Sequence, residues 1–167
     1  MNMEVLQIDF SNILDYLRIE PPYLFVDKAS VLPGKSAVGH KFFSLNEWFF
    51  KCHLPGDPVV PAVFILEGLI QTAALAIHSV VPGEHGKIYA KKFSCDVVNA
   101  VRPGCELVMD TKILSFRRGI ANAHGEAYFR RNGEDVRACV ADFVMIMPNV
   151  LASMAPPAPV KANKDAM

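Results

Sequence analysis

The sequence predicts an α+β fold in which one long central helix is wrapped by a curved antiparallel sheet. Residues 62–80 form an apolar run of helical length, and Pro82-Gly83 stands ready to stop it. Four strand-like segments follow, separated by the turn pairs Pro103-Gly104, Arg118-Gly119 and Asn132-Gly133. A helix apolar nearly all round must be covered on most sides, and a curved antiparallel sheet does this. One sheet around one helix leaves strand edges open, so pairing of edge strands into a dimer is expected.

The elements can be justified in chain order. Residues 9–18 alternate polar and apolar groups at helical spacing, with Asp9 or Ser11 as N-cap and Pro21-Pro22 ending the segment. Tyr23 to Leu32 and Ala37 to Phe43 read as strands joined by a turn at Pro33-Gly34. Asn46 to Phe50 is aromatic-rich and reads as a turn or a single helical turn. The long helix begins near Ala62, where upstream prolines suit a helix start. The later strands are expected at 87–98, 106–116, 121–131 and 136–147.

The 167 residues suffice for one domain, expected over 1–148, with an Ala/Pro-rich tail over 149–167 expected to be disordered. Seventeen basic and seventeen acidic side chains cancel, which argues against nucleic acid as the main partner. Cys52, Cys95, Cys105 and Cys139 lack metal-knuckle or redox-pair spacing and read as reduced core or interface thiols, with no metal site expected. The first residues lack a basic start and an apolar stretch, and the run from Val59 to Val81 is broken by Glu67, Gln71 and His78. A cytoplasmic protein without a membrane span is therefore expected.

The candidate chemistry lies around residues 53–71. His53 sits on a loop stiffened by Pro55, Pro58 and Pro61, and that loop runs into a helix N-terminus. The free N–H groups there can meet a developing negative oxygen, so a base beside them suits proton abstraction next to a carbonyl. Glu67 is a carboxylate in an apolar helix. At 100° per residue, Gln71 lies about 40° and His78 about 20° around from it, so the three share one stripe. Such a stripe faces a polar cleft, or else is a satisfied buried network of Glu67 with Gln71 and sheet backbone. His40, His85 and His124 show no partner spacing. Phe42, Phe43, Trp48, Phe49 and Phe50 are expected as core and pocket wall.

The pattern His53-x-Pro55-Gly56-x-Pro58-x-x-Pro61, with Glu67 fourteen and Gln71 eighteen positions after the histidine, resembles the beta-hydroxyacyl-acyl carrier protein dehydratases of fatty-acid synthesis. The resemblance extends over about residues 10–147. It includes Pro22-Tyr23-Leu24-Phe25-Val26-Asp27, Asn46-Glu47-Trp48-Phe49-Phe50, Arg102-Pro103-Gly104-Cys105-Glu106-Leu107 and Arg117-Arg118-Gly119. It implies the hot-dog fold in a homodimer, or a higher assembly such as a trimer of dimers. It implies His53 as the base that removes the alpha proton of a 3-hydroxyacyl thioester. Glu67 of the other subunit is implied as the acid for the departing hydroxyl. The backbone N–H of Ala62, with Val63, is the implied oxyanion donor, and Gln71 is an implied site residue. The implied partner is an acyl carrier protein or a CoA thioester, with no cofactor. A hot-dog thioesterase and a non-catalytic acyl-carrier-binding scaffold are the rival readings. Three departures stand out. Ala62 replaces the usual glycine, Ile19-Glu20 replaces a His-Arg pair, and Val98-Asn99 falls where a basic pair is usual. Lys91 and Lys92 offer charge nearby.

Overall fold

The computed structural model describes residues 4–81 and 86–153. Its seven strands are β1 (Leu6–Ile8), β2 (Lys28–Leu32), β3 (Ser36–Phe43), β4 (Tyr89–Val97), β5 (Cys105–Arg117), β6 (Ile120–Arg131) and β7 (Glu134–Ile146). They form one antiparallel sheet in the spatial order β1-β2-β3-β5-β6-β7-β4. The helices are α1 (Ile13–Tyr16), α2 (Ala62–His78) and α3 (Pro148–Ser153), and a 3-10 turn covers Trp48–Lys51. After β3 the chain crosses the sheet as α2 and enters β4 at the far edge, and β5 then returns to pair with β3. That path lays α2 across the sheet, in contact with β2 through β7.

The turns follow from backbone chemistry. Arg118-Gly119 and Asn132-Gly133 are two-residue hairpin loops with positive φ at both positions, as the right-handed strand twist favours. Curvature comes from register shifts between Ala90 and Lys92, Ile113 and Ser115, and Ala127 and Tyr128. The third shift lets both Ala138 and Cys139 face the interior.

The core forms between α2 and the sheet. From Ile65 to His78 every residue of α2 is buried except Glu67, which is half-buried. Leu69, Ala73, Leu75 and Ala76 are sealed from solvent, and each fully buried leucine contributes up to about 1.5–3 kcal/mol. Small residues bring the layers together. A Cβ on Gly68 would lie 2.6 Å from Met109 Sδ and 3.2 Å from Phe25 O. No helix among the described residues is long and apolar enough to cross a membrane.

The long helix and the meander match the expected layout, and the differences are local. β1 was not expected. The first helix shrinks to Ile13–Tyr16, because Asp9 O accepts the N–H groups of Asn12 and Ile13 and the chain is extended again at Leu17. Asn12, not Asp9 or Ser11, is its N-cap residue. The second strand starts at Lys28 instead of Tyr23, since Phe25 N–H is engaged by Gln71. α2 ends at His78, two residues early, and Pro82-Gly83 lies outside the described residues. Helix α3 occupies Pro148–Ser153, where a tail was expected, and residues 154–167 lie outside the described residues.

Candidate active site

His53 follows the 3-10 turn and is half-buried. Its backbone N–H donates to Phe49 O at 2.7 Å. Its ring Nδ1 lies 3.1 Å from Val59 O. A carbonyl only accepts, so the neutral ring carries its hydrogen on Nδ1 and presents Nε2 as the basic nitrogen. The loop is tied to the segment before β5 by Val60 N–H donating to Val101 O at 2.8 Å.

The loop delivers the chain to the N-terminus of α2. Pro61 is the N-cap residue and supplies no side-chain cap, and Phe64 N–H returns to Pro61 O at 2.9 Å. Ala62 and Val63 are exposed, with Val63 at 64%. The first N–H groups of a helix lack intrahelical acceptors and form its positive pole. Phe64 locks this corner together. It stacks on Phe25 at 4.7 Å between centroids and meets Phe49 at 5.1 Å and Trp48 at 5.6 Å. The turn that carries His53 and the helix that carries Glu67 are thus packed on one ring.

Glu67 and Gln71 lie one turn apart on α2. Gln71 is sealed, and every polar function it has is used. Its Oε1 accepts Phe25 N–H at 2.8 Å, and its Nε2 donates to Tyr23 O at 2.9 Å and Glu67 Oε1 at 3.0 Å. Burial pushes the Glu67 carboxyl above its ordinary range, and the Gln71 hydrogen bond only partly opposes this. The Tyr23 phenol is also raised, first by burial and then by the Glu67 charge. A cavity of about 250 Å³ opens beside Glu67. Gln71 and His78 line it with Leu17, Ile19 and Tyr89. The helical stripe read from spacing is therefore one wall of a cavity and also a hydrogen-bonded network.

His53, Ala62 and Val63 do not line that cavity. A single chain thus places Glu67 and Gln71 together at one cavity and His53 beside the helix N-terminus. The five aromatic residues divide. Phe43, Phe49 and Phe50 are core, while Phe42 and Trp48 are about half exposed, and none of the five lines the cavity. His40 and His124 do have acidic neighbours, across strands for Glu106 and Asp142 and within β6 for Glu126. His40 lies 3.2 Å from Glu106, and His124 lies 2.8 Å from Asp142 and 3.5 Å from Glu126. His85 lies outside the described residues. Ile19 lines the cavity with Arg18 beside it, which spacing alone did not reveal.

The FabA-like domain family matches residues 19–136. The chain belongs to the FabZ-like dehydratase family. It is 37% identical over 129 residues to the 3-hydroxyacyl-[acyl-carrier-protein] dehydratase FabZ of Caldanaerobacter subterraneus subsp. tengcongensis, covering 75% of this chain and 88% of that protein. It is 36% identical over 152 residues to the FabZ of Alkaliphilus metalliredigens, covering 88% and 98%. Among solved structures, the dehydratase heterocomplex ApeI:P of Xenorhabdus doucetiae superposes with a TM-score of 0.61 at 15% identity, covering 82% and 91%. That likeness gives the fold, a hot-dog sheet around a helix. Within this FabZ-like chain, the sharpest local feature is Glu67: it alone interrupts the buried run of α2, and it opens on a cavity.

Proposed function

We propose that this chain is a 3-hydroxyacyl-[acyl-carrier-protein] dehydratase. It removes water reversibly from a 3-hydroxyacyl thioester to give the trans-2-enoyl thioester. The observation that carries the reading is the environment of Glu67: a carboxyl raised by burial, fixed by Gln71 and facing a cavity. A carboxyl whose pKa is raised holds its proton to higher pH, which suits it to give that proton to a departing hydroxyl, since hydroxide itself is a poor leaving group. His53 supplies the opposite half of the reaction. Its Nε2 takes the proton from C2, while Val59 O steadies Nδ1–H and the charge that forms on the ring. The enolate-like thioester oxygen accepts hydrogen bonds from the N–H of Ala62 and Val63 at the positive pole of α2. Collapse of the enolate expels the C3 hydroxyl as water, with the proton from Glu67. No cofactor takes part.

Within one chain Glu67 lines the cavity and His53 does not, so the proposed active site pairs His53 of one subunit with the partner subunit's Glu67. Edge strand β4 is the proposed seam of that homodimer. It is long, and Tyr89, Phe93 and Val97 leave it about half exposed. Dimers assemble further, as a trimer of dimers, in the fullest form of this reading. The domain is taken as residues 1–148 with 149–167 as its tail, acting in the cytoplasm on thioesters of acyl carrier protein or CoA.

The test is turnover of 3-hydroxyacyl and enoyl thioesters by the wild type, His53→Ala and Glu67→Gln. Reversible hydration is expected in the wild type and a loss of at least about 100-fold in each variant. Mixing the two variants should restore part of the activity, because each hybrid dimer keeps one intact site. Thiol release without enoyl formation would replace the reading with a thioesterase, and no turnover with acyl-carrier binding would replace it with a scaffold.

A further inference from the structure

We propose that Arg102 is a positioning residue for His53, acting by a clamp on Asp57. The inference rests on the dehydratase reading for its kinetic consequences and on geometry for the clamp itself. Arg102 follows Val101, the residue whose carbonyl accepts Val60 N–H. Its Nη1 donates to Asp57 Oδ1 at 2.5 Å and points at Pro58 O at 3.4 Å. The next carbonyl along, Val59 O, holds His53 Nδ1 at 3.1 Å. Three successive residues, Pro58, Val59 and Val60, are thus engaged in turn by Arg102, His53 and Val101.

The composition of the loop explains why a side chain is needed there. Pro55, Pro58 and Pro61 have no backbone N–H, so the loop is short of the donors that fix ordinary chain segments. Asp57 N–H is spent locally on Leu54 O at 2.9 Å. The planar guanidinium supplies donors in fixed directions and is always charged, so it holds one geometry across the working pH range. Arg102 and Asp57 are both more than half exposed. A pair of that kind contributes little to global stability, so its removal leaves the fold intact. What it fixes is the position of Val59 O, and with it the tautomer and direction of the imidazole.

A competing use of Arg102 is direct reception of the anionic carrier or CoA at the mouth of the site. The two uses predict opposite signs at Asp57. Arg102→Met, Asp57→Asn, the double variant and the charge swap Arg102→Asp/Asp57→Arg should be compared on carrier-borne and CoA-borne substrates. With the clamp, each single variant loses about threefold to fivefold in kcat with KM unchanged. The double variant is no worse than either single one, and the swap regains most of the loss. The ring ¹⁵N spectrum of His53, read without substrate, changes from one neutral tautomer to a mixture in the single variants. The proposal is overturned if Asp57→Asn lowers KM while Arg102→Met raises it, if the losses add, or if the ring spectrum is unmoved. A wild type without dehydratase activity would sink the functional reading, and the ring spectrum would still decide the clamp.

Discussion

Gln71→Met tests whether the Glu67 site is held by one buried amide. Methionine keeps the length and approximate volume of the side chain but offers neither donor nor acceptor of comparable strength. Three hydrogen bonds disappear, at 2.8, 2.9 and 3.0 Å. They are unequal. Phe25 is 1% exposed, so its N–H is left without an acceptor and costs about 1–3 kcal/mol. Tyr23 is 47% exposed, so water can replace much of what its carbonyl loses. Glu67 keeps the cavity on its other side. The sum is a destabilisation of about 2–4 kcal/mol, or roughly 4–16 °C in Tm for a domain of this size. Thermal or urea unfolding at fixed protein concentration reads it, since an assembly makes Tm depend on concentration. The hydrogen bond that lowers the Glu67 pKa is also gone, so the alkaline limb of the pH–rate profile should move upward. A loss below about 0.5 kcal/mol, within the range of an ordinary surface substitution, would show that Phe25 N–H has another acceptor. The account of the network would then be wrong.

Other perturbations follow from the same contacts. Glu67→Gln should raise stability at neutral pH while abolishing turnover. The carboxyl is raised in the folded state, so its contribution is favourable below its ordinary value and is lost as pH rises through the raised one; equal stability of the two proteins at pH 4 and pH 8 would refute this. The His124 imidazole is raised, first by its hydrogen bond to Asp142. Its support should therefore be full below about pH 6.5 and fade above that value. At one-third side-chain exposure it is worth only about 0.5 kcal/mol, and Asp142→Asn should flatten that pH dependence in urea melts. Gly68→Ala places a methyl against Met109 Sδ and Phe25 O. It should cost about 1–3 kcal/mol, and that increment should shrink when it is measured in a Met109→Ala background.

What was legible in the sequence depended on how local the cause was. The long helix could be read because an apolar run of that length has few other solutions, and its polar stripe because 3.6-residue periodicity is fixed. The hairpins could be read because Arg118-Gly119 and Asn132-Gly133 take positive φ, which few dipeptides tolerate. β1 escaped because three residues, Leu6–Ile8, carry no period, and they become a strand only by pairing with Ala29–Val31. The partners of His124 escaped because Asp142 is its cross-strand neighbour, eighteen positions away in sequence. The same holds at the site. The Glu67–Gln71 contact is one helical turn and was visible. The contacts of Gln71 with Tyr23 and Phe25, and of Arg102 with Asp57, join segments about 45 residues apart and needed the fold.

Ala62 can now be placed physically. It stands where the resembled family usually has glycine, and glycine can serve there for backbone freedom or for space. Ala62 is the first residue of α2, in a right-handed helix that any L-residue adopts, so backbone freedom is not required of it. The residue is exposed, so its methyl displaces no core atom. The substitution therefore leaves the fold and the positive pole of α2 as they are. Under the proposed mechanism its consequence falls on how closely a thioester oxygen approaches the Ala62 N–H, which is a matter of kcat and substrate shape. Ala62→Gly should accordingly change turnover while stability falls by no more than the propensity cost of glycine in a helix, about 0.5–1 kcal/mol, or roughly 1–4 °C in Tm. If Tm collapses while turnover stays fixed, the methyl is a packing group and this placement of the oxyanion site fails.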